Sequence, residues 1–141
     1  MNTTYSLRRS IHLKKQVIPI PGIPIPDSPF NHVVKAGDFL FLTSQLSTDL
    51  KTGQIISGDI AVQTTQALEN IKFLLKQSNA TMDDIVKVVI FMRNIKEFDN
   101  MNAVYRKYFE KGAEPARVTV QAMSPIKGID IEIEVTAVLQ H

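Results

Sequence analysis

Two runs near the C-terminus hold the residues of this chain that could do chemistry. The first, from 114 to 123, carries Arg117 among alternating polar and apolar residues. The second, from 129 to 140, alternates an apolar side with a polar side that includes Glu132 and Glu134. Because side chains alternate between the faces of a strand, each run is predicted to be a strand with one buried face.

The two predicted strands are expected to pair through the short connection at 124–128. Matching their apolar faces fixes the parity of the register and sets Arg117 opposite or diagonal to Glu132 or Glu134. A guanidinium presents its donors in a planar fork that matches a carboxylate. The pattern therefore predicts a binding site for a small organic acid, with a structural salt bridge between Arg117 and either glutamate as the alternative.

Composition excludes several classes of function. The chain has 141 residues, 44% of them hydrophobic, which is typical of one globular domain. Its net charge of +2 is too small to indicate nucleic-acid binding by itself. It contains no cysteine, which excludes a thiolate nucleophile and a cysteine-ligated zinc site. The histidines, His12, His32 and His141, are far apart in sequence, so no metal site is expected. No apolar run is long enough to cross a membrane.

Periodicity predicts strands, a helix, a strand, a second helix and closing strands. The first helix is expected from Asp59 to about Gln77 and the second from about Lys96 to Lys111, with Gly112 just beyond its end. This order favours an α+β domain with two helices on one face of a sheet. The strand at 85–93 is apolar on both faces, so a second copy of the chain, in a dimer or trimer, is expected to cover the other face.

The N-terminal part divides into a basic arm at 1–15 and the start of a single domain at 16–141. An organelle transit peptide is the less favoured interpretation of the arm, and a cytoplasmic location is expected. Five of the seven prolines fall within 16–29, which predicts an extended segment at an edge of the sheet or over the body of the domain.

Five motifs occur together in an order and spacing that resemble the reactive intermediate deaminase (RidA) family, also called the YjgF family. The similarity covers roughly residues 28–139. The motifs are Thr43-Ser44-Gln45, Lys51-Thr52-Gly53, Met101-Asn102-Ala103-Val104-Tyr105, Pro115-Ala116-Arg117-Val118-Thr119-Val120 and the run from Ile131 to Val138.

The resemblance implies a chorismate-mutase-like fold of the bacillary type, a mixed sheet with two helices on one face, assembled as a homotrimer with clefts between subunits. It also implies cofactor-free hydrolysis of reactive enamine and imine intermediates that carry a carboxylate, such as 2-aminoacrylate, to a 2-keto acid and ammonia. Membrane and nucleic-acid partners are not expected, and the role would be metabolite detoxification.

The resemblance further implies roles for individual residues. Arg117 would bind the substrate carboxylate, and Glu132 would orient the hydrolytic water and handle protons. Glu134, on the same side, is expected to be a solvated or interface residue. The other substrate-binding positions are Phe30, Thr43, Ser44, Asn102 and Thr119.

The sequence departs from the family pattern beside the expected cleft. Phe30 stands where tyrosine is usual, Ser44 where glycine is common, and Ser47 where proline is common; the proline of the 124–128 turn also comes one residue early. Two other functions stay open for this chain: a non-catalytic binder of small carboxylates such as 2-keto acids or amino acids, and, less favoured, an RNA-directed ribonuclease or translation inhibitor.

Overall fold

The computed structural model describes residues 14–140. Most of the predicted basic arm, together with His12 and His141, lies outside the described residues. Within residues 14–140, no helix is both long and apolar enough to cross a bilayer.

Six strands form one mixed sheet, ordered β1-β2-β3-β6-β4-β5. All neighbours pair antiparallel except β4 and β5, which run parallel. Gly37, with φ of +59°, makes the tight turn between β2 and β3. The strands are β1 (Lys15–Val17), β2 (Val33–Ala36), β3 (Phe39–Gln45), β4 (Ile85–Met92), β5 (Ala116–Gln121) and β6 (Ile131–Val138).

Helix α1 (Ile60–Gln77) confirms the first predicted helix. The Asp59 side chain caps it by accepting a hydrogen bond from the backbone N–H of Val62 at 2.9 Å. Asn79, with φ of +61°, lets the chain turn away after the helix. One face of α1 is buried on β3 and β6, so the helix forms the centre of the core.

Helix α2 (Phe98–Tyr105) is shorter than predicted, and the predicted end at Lys111 is wrong. It lies between two short 3₁₀ turns, Ile95–Glu97 and Arg106–Tyr108, and the chain is extended at Phe109. The ring of Phe109 packs on that of Tyr105 at a centroid distance of 4.8 Å, so this aromatic contact is made by a bend in the chain and not by a continued helix.

Both helices lie on one face of the sheet, which confirms the predicted mixed sheet with helices on a single side. Helix α1 packs on β3 and β6 and against α2, and α2 contacts β5 through Asn102 and Arg117. The strand residues that point toward the helices are fully or almost fully buried: Leu40, Leu42, Val88, Ile90, Met92, Ile131, Ile133, Val135 and Ala137.

The predicted pairing of β5 with β6 is wrong, because β4 lies between them. Arg117 is level with Val88 and Thr119 with Ile90, both of which face the helices. Val118 and Val120 therefore point to the opposite, open face, where they lie level with Val89 and Phe91 of β4. The predicted parity of β5 is inverted: its polar side faces the helix layer and its apolar side faces away from it.

The open face of the sheet is uncovered in the single chain and carries exposed apolar side chains on either side of the carboxylates of β6. They include Phe39 and Phe41 of β3 at 47% and 46% exposure and Val118 and Val120 of β5 at 41% and 40%. An apolar surface of this kind on a small protein is typical of a contact site. The expectation that a second copy of the chain covers this face stays a prediction.

Candidate functional site

Arg117 lies on β5, at the edge of the sheet, under helix α2. Its Nη1 donates a hydrogen bond to the amide Oδ1 of Asn102 at 2.7 Å. Its guanidinium carbon lies 4.6 Å from the ring centroid of Tyr105 and 5.5 Å from that of Phe98, within the range of cation–π interactions. Three side chains of α2 therefore hold one guanidinium in place.

Every one of these contacts is to an uncharged group. In the part of the chain that the structure describes, no carboxylate forms an ion pair with Arg117; the ion pair found joins Arg93 to Asp130, at 3.7 Å. The predicted placement of Arg117 beside Glu132 or Glu134 is wrong, and so is the alternative of a structural salt bridge between them. The positive charge of Arg117 is oriented but not neutralised.

A cavity of about 350 Å³ opens beside this guanidinium, which is large enough for a small organic acid. Its lining carries charges of both signs, since Arg106 and Glu114 border it together with Arg117. One carboxylate oxygen of Glu114 accepts a hydrogen bond from the backbone N–H of Gly112 at 2.7 Å. Asn102, Tyr105 and Pro115 complete the lining.

Tyr105 is the most buried aromatic residue at the site, with 5% of its surface exposed. Its hydroxyl is buried and makes no hydrogen bond of regular geometry among the described residues, although it lies close enough to Arg117 for a weak one. Burial raises the pKa of Tyr105 to about 12, although the nearby charge of Arg117 acts in the opposite direction. The phenol is therefore neutral at every physiological pH.

Thr119 follows Arg117 on the same side of β5. Its hydroxyl is also buried without a hydrogen-bond partner in the described part of the chain. The hydroxyls of Thr119 and Tyr105 both lack a regular hydrogen bond in the described residues, and both residues lie beside Arg117. Buried polar groups are nearly always paired in folded proteins, so both call for an explanation.

Glu132 lies on the open face of the sheet, away from the helices, because it is level with Phe91 of β4. One of its carboxylate oxygens accepts a hydrogen bond from the Ser44 hydroxyl at 2.7 Å. A register shift between Leu42 and Gln45 of β3 places Thr43 and Ser44 against a single residue of β6. Such a bulge redirects side chains, and here it turns Ser44 toward Glu132.

The remaining predicted positions lie away from Arg117. Phe30 is 45% exposed and makes an edge-to-face contact with His32 at 6.0 Å. Glu134 is exposed, as predicted. Ser47 is fully buried, and its hydroxyl donates to the carbonyl of Ile56 at 2.6 Å. That contact gives Ser47 a structural role.

The predicted residues thus fall into two groups on opposite faces of one sheet. The first group consists of Arg117, Asn102 and Thr119 on the helix side, and the second contains Ser44 and Glu132 on the open side. Tyr105 and Phe98 were not predicted as site residues, because their spacing fits the apolar stripe of a core helix. The signal that could have identified them is Asn102, which the same short helix carries between them.

No group of three or more histidine and carboxylate side chains within residues 14–140 is arranged to hold a metal ion. The side chains at the site that could do chemistry are the fixed guanidinium of Arg117 and the hydroxyls of Tyr105 and Thr119, with the carboxylate of Glu132 on the other face.

Comparison with known proteins gives consistent matches along most of the chain. The sequence profile of a family described as Endoribonuclease L-PSP matches residues 23–139. A RutC family protein of Pyrococcus horikoshii is 42% identical over 123 residues, which cover 87% of this chain and 97% of that protein. A 2-iminobutanoate/2-iminopropanoate deaminase of Dermatophagoides farinae is 33% identical, with 89% and 98% covered. A Rid family protein from Yersinia pestis has a similar crystal structure, with a TM-score of 0.82 and 35% identity over 89% of this chain and all of that one.

Proposed function

Because the chain belongs to the YjgF/RidA family, we propose that it is a cofactor-free deaminase of enamine and imine intermediates that carry a carboxylate. The products are a 2-keto acid and ammonia. The relative from Dermatophagoides farinae that is named as an imine deaminase supports this activity for the family.

The observation that carries the proposal is that the groups in direct contact with Arg117 are uncharged. A guanidinium that is held by an amide oxygen and two aromatic rings keeps its full charge for a ligand. A carboxylate bound through two parallel N–H···O bonds gains a charge-assisted interaction of about 1.5–3 kcal/mol. The adjacent cavity has room for the rest of a small 2-imino acid.

The second half of the site is the Ser44–Glu132 pair, which we assign to a neighbouring copy of the chain. A carboxylate that orients water and transfers protons is typically worth about 10²–10⁴ in rate. Glu132 cannot serve the Arg117 of its own chain, since the two side chains lie on opposite faces of the sheet. It can serve the Arg117 of another chain that approaches the open face.

The positions of these groups favour a closed ring of chains. Arg117 lies on β5, which is an edge strand, whereas Glu132 lies on the apolar open face. When the edge of one chain packs on the open face of the next, the contact is heterologous and closes only as a ring. A homotrimer of this kind covers the exposed Phe41 and Val120 and forms three equivalent clefts.

In each cleft, Arg117 holds the carboxylate of the substrate and fixes the neighbouring imine carbon. Water, oriented by Glu132 of the next chain, adds to that carbon while the imine nitrogen gains a proton. The resulting carbinolamine then expels ammonia, and the carbonyl of the 2-keto acid forms. One water is consumed, and no oxidant or reductant takes part.

The first test replaces the guanidinium. Arg117→Ala should abolish the acceleration of keto-acid formation when the protein is added to a pyridoxal-phosphate threonine dehydratase, because the variant cannot anchor the imine that the dehydratase releases. The rate of 2-oxobutanoate formation measures this effect. Size-exclusion chromatography with light scattering should show the same assembly as for the wild type.

Arg93→Ala is the matched control, because Arg93 is an exposed arginine just after β4 that pairs with Asp130 and does not line the cavity beside Arg117. It should keep the wild-type acceleration. If Arg117→Ala accelerates the reaction as well as Arg93→Ala does, the assigned site is wrong.

A non-catalytic binder of small carboxylates is the second candidate function. It is favoured by one observation, the separation of Glu132 from Arg117 within a chain, since a lone chain then has an anchor without a base. This function predicts thermal stabilisation by 2-oxobutanoate that depends on Arg117, with no acceleration in the dehydratase assay.

A further inference from the structure

We propose that Tyr105 is a positioning residue for Arg117, and that its hydroxyl accepts a hydrogen bond from the guanidinium when a carboxylate is bound. This inference rests on the proposed function, because it assumes that Arg117 binds the carboxylate.

The hydroxyl of Tyr105 is poorly paired in the free chain. It is buried and makes no hydrogen bond of regular geometry among the described residues, although it lies close enough to Arg117 for the guanidinium to lower its pKa. A phenylalanine would keep the ring contacts with Arg117 and Phe109 without burying a poorly paired oxygen. A small movement of the guanidinium on ligand binding would turn the weak contact into a regular hydrogen bond, which gives the hydroxyl a use in the ligand-bound state.

A count of donors shows that Arg117 can supply the missing hydrogen bond. A guanidinium has five N–H donors. One hydrogen bond goes to Asn102 in the free chain, and a carboxylate bound through two parallel bonds uses about two more. The guanidinium lies over the ring of Tyr105 at 4.6 Å, so a small turn toward the cavity lets a remaining N–H meet the hydroxyl.

A neutral tyrosine at position 105 also leaves the positive charge of Arg117 available for the ligand. A carboxylate at position 105 would hold the guanidinium more strongly but would neutralise it and compete with the ligand. The pKa of Tyr105 is raised to about 12, so its hydroxyl stays neutral wherever the protein works. Tyr105 can therefore orient the cation without competing for it.

Tyr108 provides a matched control on the same stretch of chain. Its hydroxyl donates a hydrogen bond to the Glu69 carboxylate at 2.9 Å, so it is a phenol with a regular hydrogen bond where Tyr105 has none. Tyr105→Phe should leave the melting temperature of the free protein unchanged or raise it, whereas Tyr108→Phe should lower it.

The two substitutions should affect ligand binding in the opposite way to thermal stability: Tyr105→Phe should weaken the binding of 2-oxobutanoate, and Tyr108→Phe should not. Isothermal titration calorimetry should show a Kd about 5- to 10-fold weaker for Tyr105→Phe, as expected for the loss of one hydrogen bond, and an unchanged Kd for Tyr108→Phe. In the dehydratase-coupled assay, Tyr105→Phe should raise KM with little change in kcat. A residue with only a structural role would not weaken ligand binding while the free protein became more stable.

A double-mutant cycle tests whether Tyr105 acts through Arg117. In an Arg117→Lys background, Tyr105→Phe should have no further effect on the Kd, because the guanidinium that the hydroxyl serves is gone. A wild-type Kd for Tyr105→Phe, or an equal loss in the lysine background, would overturn the inference and leave the proposed function standing. Failure of the wild-type protein to bind 2-oxobutanoate would refute the proposed function itself.

Discussion

At the scale of single residues, the bulge in β3 gives Ser44 a role that regular strand geometry would deny it. The Ser44 hydroxyl donates to Glu132 at 2.7 Å and so fixes the carboxylate that we assign to water activation. Ser44→Ala should lower kcat in the dehydratase-coupled assay by about tenfold with little change in KM, because a base without its orienting hydrogen bond loses part of its contribution.

Ser47→Ala separates this effect from the general loss of a serine hydroxyl. The hydroxyl of Ser47 bonds to the carbonyl of Ile56 and not to a functional group. This variant should lose thermal stability and keep its kcat. Equal kcat values for Ser44→Ala and the wild type would remove Ser44 from the site.

Residue identities were predicted better than residue contacts. The resemblance placed Arg117 and Asn102 in one cleft, and the structure joins them by a hydrogen bond of 2.7 Å. It also placed Glu132 in that cleft, yet a single chain puts Glu132 on the other face. A motif records which side chains are present but not which copy of the chain supplies each of them.

At the scale of elements, the segment at the end of α2 carries two phenols that the fold keeps protonated. The pKa values of Tyr105 and Tyr108 are both raised, from 10.0 to about 12, by burial and, for Tyr108, also by its bond to Glu69. A pKa raised by folding leaves the free energy of unfolding unaffected by these groups below pH 10 and lowers it as the pH rises toward 12, because the phenols ionise first in the unfolded chain.

The wild type should therefore lose stability more steeply between pH 10 and 12 than the double variant Tyr105→Phe/Tyr108→Phe. Urea denaturation at a series of pH values measures the free energy of unfolding of each protein. Parallel curves for the two proteins would show that neither phenol is perturbed by folding.

Elements with strong local signals were predicted correctly, and those defined by distant contacts were not. Helix α1 has an aspartate cap and a regular apolar stripe, and its predicted bounds are confirmed. The parity of β5 was wrong because it was derived from direct pairing of β5 with β6, with their apolar faces matched as one buried face, whereas β4 lies between them. Val118 and Val120 belong to the second apolar face, which a single chain leaves open. The end of α2 was missed because Phe109 completes the aromatic cluster from extended backbone.

At the scale of the whole molecule, a site shared between copies predicts complementation. Arg117→Ala and Glu132→Ala should each be inactive alone. When they are denatured together in equal amounts and refolded, random mixing in a ring of three should restore about one quarter of the wild-type activity, because each mixed trimer has one intact cleft.

The specific activity of the mixture in the dehydratase assay, with each variant refolded alone as the control, measures this recovery. Light scattering should confirm that all the samples have the same mass. Mixed samples that stay inactive would place Arg117 and Glu132 outside any shared cleft.

The placement of Arg117 and Glu132 on opposite faces has a genetic consequence. In the proposed ring, each chain contributes to two clefts, so one subunit lacking both side chains would disable about two of the three. A cell that expressed such a copy beside a normal one would lose more than half of its activity. A copy that lacks both side chains should therefore act as a dominant-negative variant when it is expressed with the wild type.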